Sequence, residues 1–83
     1  MKIIIRYCGA WGYETKAQGV SKEILEVYPN AEVKLEVGFS GQFDIIYESD
    51  PPGLLFSKTT SAKNNRFPHK GEIIKLLGRN KNG

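Results

Sequence analysis

The chain holds a single sulfur nucleophile, Cys8, preceded by Ile3-Ile4-Ile5-Arg6-Tyr7 and followed by Gly9-Ala10-Trp11-Gly12-Tyr13. An isoleucine run reads as a strand, and a helical pattern opens at Tyr13, so the thiol lies at a strand-to-helix junction. Unpaired N–H groups at a helix start carry partial positive charge, which favours a thiolate. A reactive Cys8, ionised and reachable from outside, is therefore expected. The plainer alternative is a small buried hydrophobe, the commonest fate of a free cysteine. Trp11, flanked by Ala and Gly, is expected to stand in solvent as a candidate docking anchor.

The elements that must position this loop follow from periodicity. Residues 2–7 read as a buried strand with apolar cover on both faces. From Tyr13 to Tyr28, the residues Tyr13, Ala17, Val20, Ile24 and Val27 make one helical stripe, with Glu23 and Glu26 off it. Gly19 in mid-helix suggests a close approach to the sheet. Residues 31–37 alternate, with Val33, Leu35 and Val37 on one face and Glu32, Lys34 and Glu36 on the other. Strand, helix and strand make a right-handed parallel unit. A turn over 38–41 leads to a third strand over 42–48. Ser49-Asp50-Pro51-Pro52-Gly53 turns the chain into a short fourth strand ending at Ser57. The polar segment 58–66 is expected to be mobile. A last helix is expected from Phe67 to Leu77, stopped by Gly78, with 79–83 a frayed tail. The whole is one domain over 1–78. The order β-α-β-β-β-α, a four-stranded mixed sheet with two helices, is the thioredoxin-like α/β (two-layer α+β) arrangement.

Three stretches carry a family resemblance. Tyr7-Cys8-Gly9-Ala10-Trp11-Gly12-Tyr13 resembles the Tyr-Cys-Gly-Ala-Sec-Gly-Tyr redox loop of the selenoprotein W-like (Rdx) proteins. Ser40-Gly41-Gln42-Phe43-Asp44-Ile45 resembles the family's Thr-Gly-X-Phe-Glu-Ile turn and strand. Leu55-Phe56-Ser57-Lys58 and the later Phe67-Pro68 resemble its strand end and the approach to its final helix. The match runs in order over nearly the whole chain.

Trp11 occupies the position where the family has selenocysteine or cysteine. Selenocysteine is encoded by UGA and tryptophan by UGG, so Trp11 is read here as standing in for selenocysteine. The alternative is a natural paralogue with one working thiol or none. What the resemblance implies is a small thiol- or selenol-dependent oxidoreductase, an antioxidant or redox regulator. Cys8 and position 11 would form its redox-active centre. Gly9, Ala10, Gly12 and Tyr13 would bind, through helix-start N–H groups and glycines that let a partner's backbone approach. No bound cofactor is implied. Glutathione would serve as co-substrate, or a thioredoxin-type protein as reductant, with a redox-regulated partner such as a 14-3-3 protein.

Composition narrows the classes further. One cysteine forms no internal disulfide, and His69 as sole histidine argues against zinc. The isoleucine run is too short for a signal sequence or membrane span, so the expected compartment is cytoplasmic. Residues 1–57 hold five Lys/Arg against eight Asp/Glu, whereas 58–83 hold seven against Glu72 alone. That basic end lacks interleaved aromatics, which argues against nucleic acid; a solvated surface is the expected reading. His69 receives no role.

Overall fold

A computed structural model of the chain describes residues 1–49, 52–58 and 66–82. Strand β1 (Lys2–Cys8) feeds helix α1 (Tyr13–Val27), followed by β2 (Glu32–Gly38), β3 (Phe43–Tyr47), β4 (Gly53–Ser57) and helix α2 (Glu72–Asn82). The sheet order is β2-β1-β3-β4. β1 pairs parallel with β2 and antiparallel with β3, and β3 pairs antiparallel with β4. This is the thioredoxin-like α+β arrangement expected from the order of elements. Asp50 and Pro51 of the expected turn, residues 59–65 of the polar segment and Gly83 lie outside the described residues.

Both helices pack on one face of the sheet, and the core lies there. Ile3, Ile5 and Tyr7 of β1 meet Phe43 and Ile45 of β3, Phe56 of β4, Ala17 and Ile24 of α1, and Ile73 and Leu77 of α2. Among the described residues, the apolar cover expected on both faces of β1 lies on one face only. Ile4 points the other way and is only half-buried, on a helix-free face that also carries Arg6, ion-paired to Glu36 at 3.0 Å. The apolar stripes run out at their ends: Val27 is the last residue of α1 and Val37 lies near the end of the edge strand β2, and both are exposed. Glu23 is half-buried rather than solvated, because its carboxylate accepts the Gly71 N–H at 3.0 Å and ties α1 to the start of α2. Gly19 makes no close approach: a Cβ there would meet nothing within 4 Å.

The last helix starts later and runs further than its residues suggest. Gly71 has φ +82°, a left-handed conformation no helix interior accepts, so α2 begins after it. Phe67 is not helical; it plugs edge-on against Tyr13 and Phe43, with centroids 4.8 and 5.1 Å away. Gly78 does not stop α2, which continues to Asn82 through the residues expected to fray. A glycine inside a helix costs about 1 kcal/mol relative to alanine, and Ile73 and Leu77, fully buried one turn apart just before it, anchor the helix to the core.

The start of α2 is fastened by Glu72, whose carboxylate takes two hydrogen bonds from Arg66, at 2.8 and 2.9 Å, and one from the His69 N–H at 2.9 Å. The Arg66 guanidinium, and after it the His69 N–H, outweigh partial burial and hold the Glu72 carboxyl down to about 2, from an ordinary value of 4.5. A carboxyl depressed in the folded state stabilises fully above its unfolded value and loses that contribution as pH falls toward the folded one. Glu72→Gln is thus expected to lower stability by about 1–2 kcal/mol at neutral pH. The gap between the two proteins in urea unfolding should close between 4.5 and about 2. A gap that stays constant across that window refutes the assignment.

Candidate functional site

The carboxyl end of β1 is where the chain places its chemistry-bearing residues. Cys8 ends the strand, and Gly9, Ala10, Trp11 and Gly12 form an exposed loop before α1 opens at half-buried Tyr13. Gly12 is the N-cap residue, left-handed at φ 73°, with no side-chain cap on the helix. Trp11 is also left-handed, at φ 65°. For a bulky L-residue that conformation costs about 1–2 kcal/mol. Its indole recovers little of this, being 67% exposed. It lies against Gly41, where a Cβ would come within 3.2 Å of the ring, and edge-on to Tyr13 with centroids 5.9 Å apart.

Behind Trp11 the aromatics continue inward. Tyr13 meets Phe67 and Phe43, and Phe43 belongs to the core. Lys16 stands over the Phe67 ring at 5.4 Å and Lys58 over both Tyr13 and Phe67 at 5.5 Å. Each such contact is worth about 0.5–1 kcal/mol at an exposed site. Tyr13, the first helical residue, is thus braced by the rings of Trp11, Phe43 and Phe67 and by Lys58.

Cys8 does not sit where a reachable thiol must. It is 2% exposed. The reason is the connection from β2 to β3. These strands flank β1, so residues 39–42 must cross its end. They do so in a tight turn: the Gln42 N–H bonds to the Phe39 carbonyl at 3.1 Å, and Gly41 takes φ +81° at the third position, as a type II turn requires. The Gln42 carbonyl in turn accepts the Cys8 N–H at 2.8 Å. Alternation along β1 directs Cys8 away from Tyr7 and the core, and Cys8 is not a member of the core cluster. The thiol is buried under the crossing turn.

Three residues that periodicity left as ordinary strand positions secure that turn. Buried Gln42 accepts the Phe39 N–H through Oε1 at 3.0 Å and donates through Nε2 to Asp44 at 2.7 Å, and Asp44 also accepts a hydrogen bond from buried Ser57. The signal available in sequence was the pair Gly38, just before the turn, and Gly41 within it: a Cβ at Gly38 would lie 1.8 Å from Gln42 Oε1. Around the same end, Trp11, Val37 (69%) and Phe39 (61%) leave large apolar surfaces in solvent. Among the described residues no group of three or more His, Cys, Asp or Glu could hold a metal ion, and no helix is long and apolar enough to cross a membrane.

The chain is 29% identical over 83 residues to migration and invasion enhancer 1 of Bos taurus, covering all of this chain and 67% of that protein. It is 28% identical over 81 residues to the Mus musculus protein of the same name, covering 98% of this chain and 65% of the relative. The chain thus spans about two thirds of the length of these relatives. The Rdx family model matches residues 2–79, which include the Cys8–Tyr13 loop, the crossing turn and α2 through Arg79. The chain belongs to the Rdx family.

Proposed function

We propose that this chain is a small thiol redox protein of the selenoprotein W type, acting in the cytoplasm, with position 11 as its outward-facing reactive position and Cys8 as the thiol behind it. One observation carries the reading. Residue 11 is displayed to solvent by a left-handed backbone that a tryptophan neither prefers nor profits from. A loop that costs energy to hold out one side chain is a loop shaped by what that side chain does. Selenocysteine or cysteine would be exposed there, next to the N-terminal end of α1, where a selenolate or thiolate is favoured. In that form the chalcogen at position 11 attacks a peroxide or disulfide. The Cys8 thiol then displaces the product to close an internal bond, and two equivalents of glutathione, or one dithiol protein, reopen it.

As written, the chain has only the second half of that pair. The Cys8 thiolate attacking glutathione disulfide forms one protein–glutathione disulfide and releases one glutathione thiolate. No second thiol in the chain displaces the adduct. Because Cys8 is buried, the parent protein is expected to take up a single glutathione only slowly, through local opening, and to give no sustained consumption of hydrogen peroxide with glutathione. Intact-mass analysis and a coupled peroxide assay check both points. Steady cycling by the parent chain, or a Cys8 that takes up no glutathione even over long exposure, would overturn the proposal. The codon for residue 11 is a separate arm: UGA supports native selenocysteine, and a genuine UGG removes it.

A second reading rests on Trp11, Val37 and Phe39, which together form an apolar rim at one end of the sheet. A thioredoxin-like module that docks a partner protein through this rim, without redox turnover, would keep its binding when Cys8 is replaced by Ser.

A further inference from the structure

We infer that the Gln42 side chain is a latch that holds the 39–42 turn closed over Cys8, so that access to the thiol is set by the Gln42–Asp44–Ser57 chain of hydrogen bonds. The inference rests on the redox reading only for its purpose; the latch itself concerns access.

The geometry is local and over-determined. Cys8 pairs with Gly38 on β2, and its neighbour on the other side is Gln42, the residue before β3, whose carbonyl accepts the Cys8 N–H. Paired residues in a parallel ladder direct their side chains to the same face, so the Cβ that Gly38 lacks would point to the face Cys8 occupies. Gln42 Oε1 fills that missing position, 1.8 Å from where the Cβ would be. The amide is thus folded across the Cys8 side of the sheet. It is held at both ends, by the Phe39 N–H at 3.0 Å and by Asp44 at 2.7 Å. The Asp44 carboxylate is itself fixed by Ser57 at the end of β4. Gln42 and Ser57 are buried, and a half-satisfied buried chain is costly, so breaking one link disfavours the closed turn as a whole. Phe39 is the turn residue that would move. Its ring is already in solvent, so opening requires no apolar surface to leave the core. Gln42 is a positioning residue in this account, acting on the thiol through the turn.

Two substitutions release the latch by different means. Gln42→Glu keeps the acceptor for Phe39 but sets a carboxylate against Asp44 and removes the donor. Gly38→Ala leaves Gln42 intact and occupies its seat. Both are expected to raise the rate of Cys8 alkylation by iodoacetamide by about tenfold or more, through local opening. A carboxylate brought near the thiol would by itself slow alkylation, so an acceleration in Gln42→Glu reads access. Adding Asp44→Asn to Gln42→Glu restores a donor–acceptor pair with the roles exchanged, and should return the rate toward the parent's. Local opening is insensitive to low urea, whereas global unfolding responds steeply, so the rates are compared across that range. Unchanged rates in both single variants, acceleration seen only as urea rises, or no rescue in the double variant would each overturn the latch. Iodoacetamide requires only access. A chain that never exchanges with glutathione can still show the latch, and one that exchanges at an unaltered alkylation rate loses the latch alone.

Discussion

Trp11→Cys should convert a chain with no sustained peroxide turnover into one that cycles with glutathione, a gain on the order of a hundredfold or more over the parent's residual rate. The substitution adds a second sulfur at the position the backbone displays, three residues from Cys8 and at the N-terminal end of α1. Peroxide oxidises the exposed thiol to a sulfenic acid and leaves as water. Cys8 then attacks that sulfur, a second water departs and an internal disulfide remains. A neighbouring thiol outruns dissolved glutathione because its effective concentration is far higher than any solution supplies. The fold should tolerate the exchange. Most of the indole is in water, and its removal forfeits only packing on Gly41 and on the edge of Tyr13. Formation of one internal disulfide per chain, read as a mass loss of two hydrogen atoms on oxidation, marks the expected path. A variant that folds and yields only glutathione adducts would show that position 11 and Cys8 do not work as a pair.

The same two residues mark how far the sequence could be read. The element order, the α1 stripe and the family loop were all legible, because each is a pattern within one stretch of chain. The exposure of Trp11 followed from its small neighbours. The burial of Cys8 did not, because what covers it comes from residues 39–42, more than thirty positions away. They reach it only because β1 lies between β2 and β3. Gln42 and Asp44 alternate with Phe43 and Ile45 like any half-exposed strand, and nothing local reveals that their side chains bond to each other across the helix-free face. At the other end, Phe67-Pro68 marks an approach to α2 but not its start. The start depends on Gly71 turning left-handed and on Glu72 reaching back to His69 and across to Arg66.

Phe43→Ala is expected to lower stability by about 3–5 kcal/mol, enough to leave a domain of this size with little net stability. Phe43 is fully buried where three requirements meet. Its ring packs edge-on against Phe67 and Tyr13, at 5.1 and 6.3 Å, and so connects the loop's aromatic brace to the core. Its backbone pairs with Tyr7 in β1 and accepts the Lys58 N–H at 3.0 Å. It is also the first residue after the crossing turn, so the turn's position over Cys8 depends on it. Truncation leaves a cavity among rings that cannot close it without pulling β3 from its register. Phe67→Ala separates the two roles. Phe67 is only half-buried and lies outside the sheet, so its loss should cost less, about 1–3 kcal/mol. It nevertheless removes the ring that Tyr13, Lys16 and Lys58 share. Urea unfolding ranks the two variants, and Trp11 fluorescence reports the loop. If the loop is braced through the aromatics, Phe67→Ala shifts the Trp11 signal in the folded state at modest cost in stability, while Phe43→Ala chiefly unfolds the domain. Equal losses with an unchanged Trp11 signal would mean that the loop stands on the backbone of β1 and α1 alone.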